Sequence, residues 1–281
     1  MPNNSEYPNR RSFLQQAGMG IGLAGALEGA DAPPPTLMDN AKGGFRFRKG
    51  GGKYSSGGTV AKEGYEIVHV TFATPPPLAK GFEMIDGFLK AQRRPPQALC
   101  GMELRSPKPF TYPAFGELSV IYVGLIEKRG LLIDGSNPIA RVNVCPELDP
   151  PPEVSIYGFS YTAPQKGAPP TFLAAAGELS GEYPQGIMAR GDVSPNGLRL
   201  KVTRELESLD RAISQMGVSW NAVTNLVVFS VHDFYPILRD LLLPRTGVAK
   251  NYGIRWYFAR PPIQELEIEI QIRGCARELM I

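Results

Sequence analysis

Apolar positions recur with helical spacing in the second half of the chain. Val202, Leu206, Leu209, Ile213 and Met216 follow one another at steps of four, three, four and three, and Gly217 stands where the run ends. That spacing predicts one amphipathic helix with a glycine stop. Residues 171–178 and 186–192 predict two short strands before it, and the β-branched, apolar residues 222–231 predict a buried strand after it. Asp233 can cap a second helix whose Ile237, Leu238, Leu241 and Leu242 face inward. Ile254, Trp256 and Phe258 alternate with other residues, as do Leu266, Ile268, Ile270 and Ile272, so two more strands follow. The first half repeats this order more faintly. Strands are predicted over residues 67–72, 97–104, 140–144 and 154–159. Leu78, Phe82, Ile85 and Leu89 mark one helix, and Leu118, Ile121, Tyr122 and Leu125 a second. Mixed strands and helices of this kind predict an α/β (α+β) fold, each half a mixed sheet with two helices on one face.

Length agrees with two such units, since 281 residues are too many for one small domain. The boundaries read as 63–165 for the first and 166–281 for the second. Residues 36–62 are Gly-rich and basic and predict a flexible linker. Before them, Arg10, Arg11, Phe13 and Leu14 resemble the core of a twin-arginine export signal, with a Gly/Ala-rich stretch and Ala30-Asp31-Ala32 behind it. Residues 1–35 therefore predict an exported, periplasmic protein, the alternative being a cytoplasmic one with a loose tail. A formal charge of +3 provides no basic face for nucleic acid. No apolar run reaches the ~18 residues of a membrane span. Three cysteines and two histidines, none at ligand spacing, form no disulfide framework and no metal site. Cys100, Cys145 and Cys275 read as buried small hydrophobes, His69 as a core histidine and His232 as a turn residue.

The segment 191–234 resembles the reactive intermediate deaminase (Rid) superfamily. The residues that carry the resemblance are Gly191-Asp192-Val193, the helix ending at Gly217, and the strand VTNLVVFSVHDF. Members of that family carry an arginine where a strand begins and a glutamate at the start of the last strand. Arg255 occupies the first position, and Glu267 or Glu269 in LEIEIQIRGCA the second. In the first half, Pro138-Ile139-Ala140-Arg141 resembles the family's strand entry and Glu153 precedes the final strand. The proline before the arginine is absent from the second half, where Gly253 and Ile254 stand. The resemblance implies two tandem Rid/chorismate-mutase-like domains, hydrolysis of enamines or imines to ketones and ammonia, no cofactor and a trimeric homo-oligomer. The two-domain form looks most like deaminases of 2-aminomuconate-type acids from aromatic-compound degradation, with chorismatases as a second relative.

The chemistry suits the residues. A guanidinium grips a carboxylate through two parallel charge-assisted hydrogen bonds. Arg141 and Arg255 are thus the candidate anchors for a small carboxylic acid. A carboxylate can hold and polarise the attacking water, and Glu153, Glu267 and Glu269 are the candidates. Phe110, Tyr112 and Phe115 sit in a Pro-containing loop that either packs or lines a pocket. A sheet covered by helices on one face leaves the other bare, which also predicts a homo-oligomer. Three functions stay open at this point: a deaminase, a chorismatase-like hydrolase or lyase, and a non-catalytic binding module.

Overall fold

A computed structural model describes residues 37–50, 53–246, 251 and 253–281. The expected export segment around Arg10 and Arg11 lies outside the described residues. Two mixed sheets face each other. The strands are β1 (Met38–Asn40), β2 (Phe45–Phe47), β3 (Thr59–Ala61), β4 (Tyr65–Thr71), β5 (Leu99–Arg105), β6 (Ala140–Pro146) and β7 (Ser155–Pro164). The second half adds β8 (Phe172–Gly177), β9 (Asn225–Ser230), β10 (Arg255–Tyr257), β11 (Ala259–Arg260), β12 (Ile268–Gly274) and β13 (Arg277–Met280). One sheet runs β11-β6-β5-β7-β4-β13 and the other β1-β2-β3-β8-β12-β9-β10.

The helices are α1 (Leu78–Ala91), α2 (Tyr112–Lys128), α3 (Pro195–Met216) and the short α4 (Tyr235–Ile237), which runs on into one π turn over Leu238–Leu242. Each long helix forms where its spacing predicts, and the caps of α3 explain its ends. Ser194 Oγ accepts from the Gly197 amide at 3.2 Å with Pro195 at the first helical position, and Gly217 closes α3 at φ 69°. The apolar face of α3 is buried on Ile268, Ile270 and Ile272 of β12. Leu118, Tyr122 and Ile126 of α2 bury against the first sheet, joined by Leu179, Ile187, Ile263 and Leu266 from the second half.

Three expectations need correction. The stretch over 36–62 is no linker: it supplies β1 to β3, and Phe45 and Phe47 are fully buried. Alternate aromatic positions, not net composition, order it. Residues 186–192 form turns with a single bridge, Leu179 to Ile187. Ala189 and Gly191 take positive φ there, which no strand allows. Third, the strand around Trp256 is short and leaves Trp256 and Phe258 exposed.

The halves also exchange strands. β3 pairs with β8, while β13 pairs with β4 and β11 with β6. The faces turned away from the helices then cover each other inside one chain. Phe45, Phe47, Ile67, Cys100, Ala140, Leu173 and Cys275 form one inter-sheet cluster, and Val142, Val144, Val227, Phe229 and Ala259 another. The bare sheet face from which an oligomer was expected is thereby buried without a second copy.

Candidate active site

Arg141 is the second residue of β6. Along this strand Ala140, Val142 and Val144 meet the opposite sheet, so period-two alternation turns Arg141 and Asn143 toward α2. The Arg141 amide donates to Ser55 Oγ at 3.0 Å, fixing the strand entry. Its guanidinium lies 4.7 Å over the Tyr122 ring and 5.5 Å from that of Phe115, both on α2. Burial lowers its pKa, while Tyr122, Glu269 and Tyr54 oppose that shift. Arg141 Nη1 completes no hydrogen bond, and neither do Ser119 Oγ, Asn143 Nδ2 or Tyr122 Oη, which lies beside Asn137. An unmade donor at a buried site costs about 1–3 kcal/mol, more when charged. Four such atoms on α2 and β6 leave polar groups unmatched in the layer between this strand and the helix.

Glu269, in the other half of the chain, is within electrostatic reach of this cation. It is the second residue of β12, cross-strand from Gly177 of β8 and Phe229 of β9. Burial raises its pKa to about 8; Arg141 and then Arg105 pull the other way, and Glu103 adds to the rise. At neutral pH its carboxyl therefore carries a proton. Below it, on α3, Glu205 is fully buried and its pKa is raised well above the usual carboxylate range by burial, then by Glu178 and Glu269. Glu178 itself is held by Lys201 Nζ at 2.7 Å and accepts from the backbone amides of Glu267 and Ile268.

The other expected residues lie apart from this pair. Glu267 is committed to His232 Nε2 at 2.6 Å and lies 3.6 Å from Arg260, so His232 is a hydrogen-bond partner as well as a turn residue. Arg255 is exposed at the start of β10, 3.6 Å from Glu278. Glu153 is exposed on the loop before β7, where its carbonyl accepts from Ser155 Oγ. His69 is buried as expected, 3.0 Å from Ser160 Oγ, and its pKa is lowered to about 4 by burial and then Arg273.

Sequence reasoning passed over a second charged group between the sheets. Glu103 and Arg105 on β5 and Arg273 on β12 are buried there, with Glu103 hydrogen-bonded to Arg273 and 3.6 Å from Arg105. Burial pushes the Glu103 pKa up, but Arg273, His69 and Arg105 outweigh it and hold it at about 2. The signal was available: two charges spaced by two within an otherwise apolar strand point to one face. Of the loop aromatics, Phe115 reaches Arg141 and the other two pack. Phe110 lies against Phe115, and Tyr112 stacks on Tyr183 with ring centroids 4.1 Å apart. Among the described residues no group of three His, Cys, Asp or Glu side chains converges as a metal site requires.

A protein-family model described as 2-aminomuconate deaminase CnbZ matches residues 37–279. The chain is 36% identical over 253 residues to a 2-amino-5-chloromuconate deaminase of Comamonas testosteroni, covering 88% of this chain and 100% of that protein. A solved chorismatase structure is similar with a TM-score of 0.50 at 12% identity, over 86% of this chain and 80% of that one. At that identity the likeness is one of fold.

Proposed function

Since the chain belongs to the 2-aminomuconate deaminase family CnbZ, we propose that it deaminates 2-aminomuconate or a close analogue by hydrolysis, releasing ammonia. One observation carries the reading: the buried Arg141 keeps an unmade guanidinium donor within electrostatic reach of Glu269, an acid whose pKa is raised to about 8. Arg141 takes the substrate carboxylate next to the amino-bearing carbon. Binding there satisfies the unmade donor and neutralises the lone cation, while a lysine would lack the two-pronged fit.

Glu269 then acts as the proton carrier. Its proton goes to the enamine chain, leaving an iminium carbon and a carboxylate. A water adds to that carbon and gives a proton to Glu269. Proton transfer to nitrogen lets the carbinolamine expel ammonia, and a 2-keto acid remains. One water is consumed and one ammonia released, with no redox change. The raised pKa places Glu269 near the pH at which a group serves equally as acid and base. The test is to incubate the purified chain with 2-aminomuconate and follow ammonia together with loss of the substrate's ultraviolet absorbance. Both are expected in equal amounts, and Arg141→Ala is expected to lower kcat/KM by more than ~100-fold. Absence of ammonia release, or full activity in Arg141→Ala, removes the reading.

A further inference from the structure

Lys201 is a fully buried cation on the inner face of α3. Its Nζ donates to Glu178 Oε2 at 2.7 Å and to the Met188 carbonyl at 2.9 Å. Glu178 is as deeply buried, and its other oxygen, Oε1, accepts from two successive amides, those of Glu267 and of Ile268, the latter at 2.6 Å. Both oxygens of this acid are thus taken by donors. A buried ion pair gains little over an apolar pair of similar volume, so filling space does not explain it. What an apolar pair lacks is an acceptor for the two amides.

Those amides open β12. The ladder from β8 stops at Gly177, whose partner is Glu269, and Glu178 is the next residue of the chain. Where the ladder ends, the Glu178 side chain takes over and caps the incoming strand. On the other side Ser230, the last residue of β9, donates from Oγ to the Glu267 carbonyl at 2.9 Å. Ile268 then pairs with Ser230 and Glu269 with Phe229. Ile268 and Ile270 pack under α3, so Glu269 between them points to the opposite face. A slip of one residue at this entry would turn Glu269 toward α3 and put an isoleucine in its place.

We propose that Glu178, steadied by Lys201, is a positioning residue for the deamination: by accepting from the two amides that open β12, it fixes the register at which Glu269 is presented. The proposal rests on the proton-carrier role of Glu269 and adds the group that places it. Glu178 itself touches no reacting atom. Lys201 ties the same point to the turns over residues 186–192, whose Ile187 packs into the core of the first half. One buried joint therefore holds α3, the end of β8 and the start of β12 together.

Three variants of the full chain separate positioning from a purely structural role. Glu178→Gln with Lys201→Met removes both charges and keeps an acceptor for the amides. Glu178→Met with Lys201→Met removes the acceptor too. Glu178→Asp keeps the charge but draws the carboxylate back by one methylene. Each is assayed for kcat and KM with 2-aminomuconate across pH, and by urea unfolding across pH with and without Glu269→Gln. The glutamine pair is expected to keep kcat within about threefold, and the methionine pair to lower it by about 10- to 100-fold with KM within about twofold, because Arg141 is untouched. Glu269, less firmly enclosed in the methionine pair, ionises more readily. The alkaline limb of kcat, and the pH at which the Glu269-dependent fall in stability levels off, should then both move down from about 8 by about one pH unit. Glu178→Asp is expected to show the same changes in smaller measure, and it decides the matter if the methionine pair does not fold. An unmoved kcat and alkaline limb in either folded variant, even with stability lost, would overturn the proposal. So would equal losses of kcat in the glutamine and methionine pairs, which would credit the charges and not the acceptor. The unfolding series needs no turnover, so absence of ammonia release with a moved Glu269 slope would sink the deaminase reading alone. Ammonia release with an unmoved slope would sink only this one.

Discussion

Glu269→Gln keeps the shape of the protonated acid and removes its ability to ionise. Its effect on stability follows from proton linkage. The folded pKa of about 8 lies some 3.5 pH units above the ordinary 4.5. At about 1.4 kcal/mol per unit, holding that proton costs the fold about 5 kcal/mol once the unfolded chain has ionised. The sign is definite. Below pH 4.5 both states carry the proton and Glu269 contributes no pH dependence; from 4.5 to about 8 only the folded state carries it, so stability falls as pH rises and then levels off. Glutamine has no such slope. Urea titrations read through Trp220 and Trp256 should show similar stability for both proteins at pH ~4.5, and a gain of a few kcal/mol for the variant by pH ~8.5. The same variant should lose turnover by about 10²- to 10⁴-fold, the contribution of a positioned acid–base group. Parallel stability profiles would show that the fold does not hold this proton, and unchanged turnover would show that the proton is not the one transferred.

Three other changes probe the frame around the site. Lys201→Met leaves Glu178 buried beside Glu205 without its cation and is expected to cost about 3–5 kcal/mol in denaturant unfolding; a loss below about 1 kcal/mol would mean that Glu178 takes up a proton at little cost. Phe45→Ala empties a fully buried ring position in β2 and is expected to cost about 3–5 kcal/mol, which an ordinary linker would not show. Arg255→Ala removes an exposed pair with Glu278 and is expected to change stability by less than about 1 kcal/mol and kcat/KM by less than about twofold; a large loss of activity would move the working anchor to the second half.

Local periodicity carried most of the fold. α1 and α3 form where apolar residues recur at helical spacing, because burial of one face decides a helix and the spacing records that face; α2 forms where expected but buries Phe115, Leu118, Tyr122 and Ile126 and leaves Ile121 exposed. Where the expectation failed, the deciding contact was remote in sequence. Phe45 and Phe47 lie in a glycine-rich stretch whose composition argues against order, yet the next strand and β8 supply the surface that buries them. The pairing of β13 with β4 joins residues some two hundred positions apart, and no local pattern encodes such a pairing. Residues 186–192 had strand-like composition, but positive φ at two positions turned them away from any ladder.

The site was legible in its parts and not in its pairing. Arg141 and Arg255 share one signal, an arginine where a strand begins, and the cover above each separates them. α2 runs for 17 residues and buries Arg141 against Tyr122 and Phe115, whereas α4 spans 3 residues before its π turn and Arg255 stays exposed. Likewise Glu267 and Glu269 are two residues apart, yet His232 claims the first and the second lies buried and protonated. Reading each half alone pairs Arg141 with Glu153 and Arg255 with Glu267 or Glu269. Packing of the two halves brings Glu269 within electrostatic reach of Arg141 instead, so the proposed chemistry draws on both halves. The guanidinium is kept dry by the α2 rings of Tyr122 and Phe115 and the neutral acid by the strands around β12, and each keeps its unusual state only while it stays so.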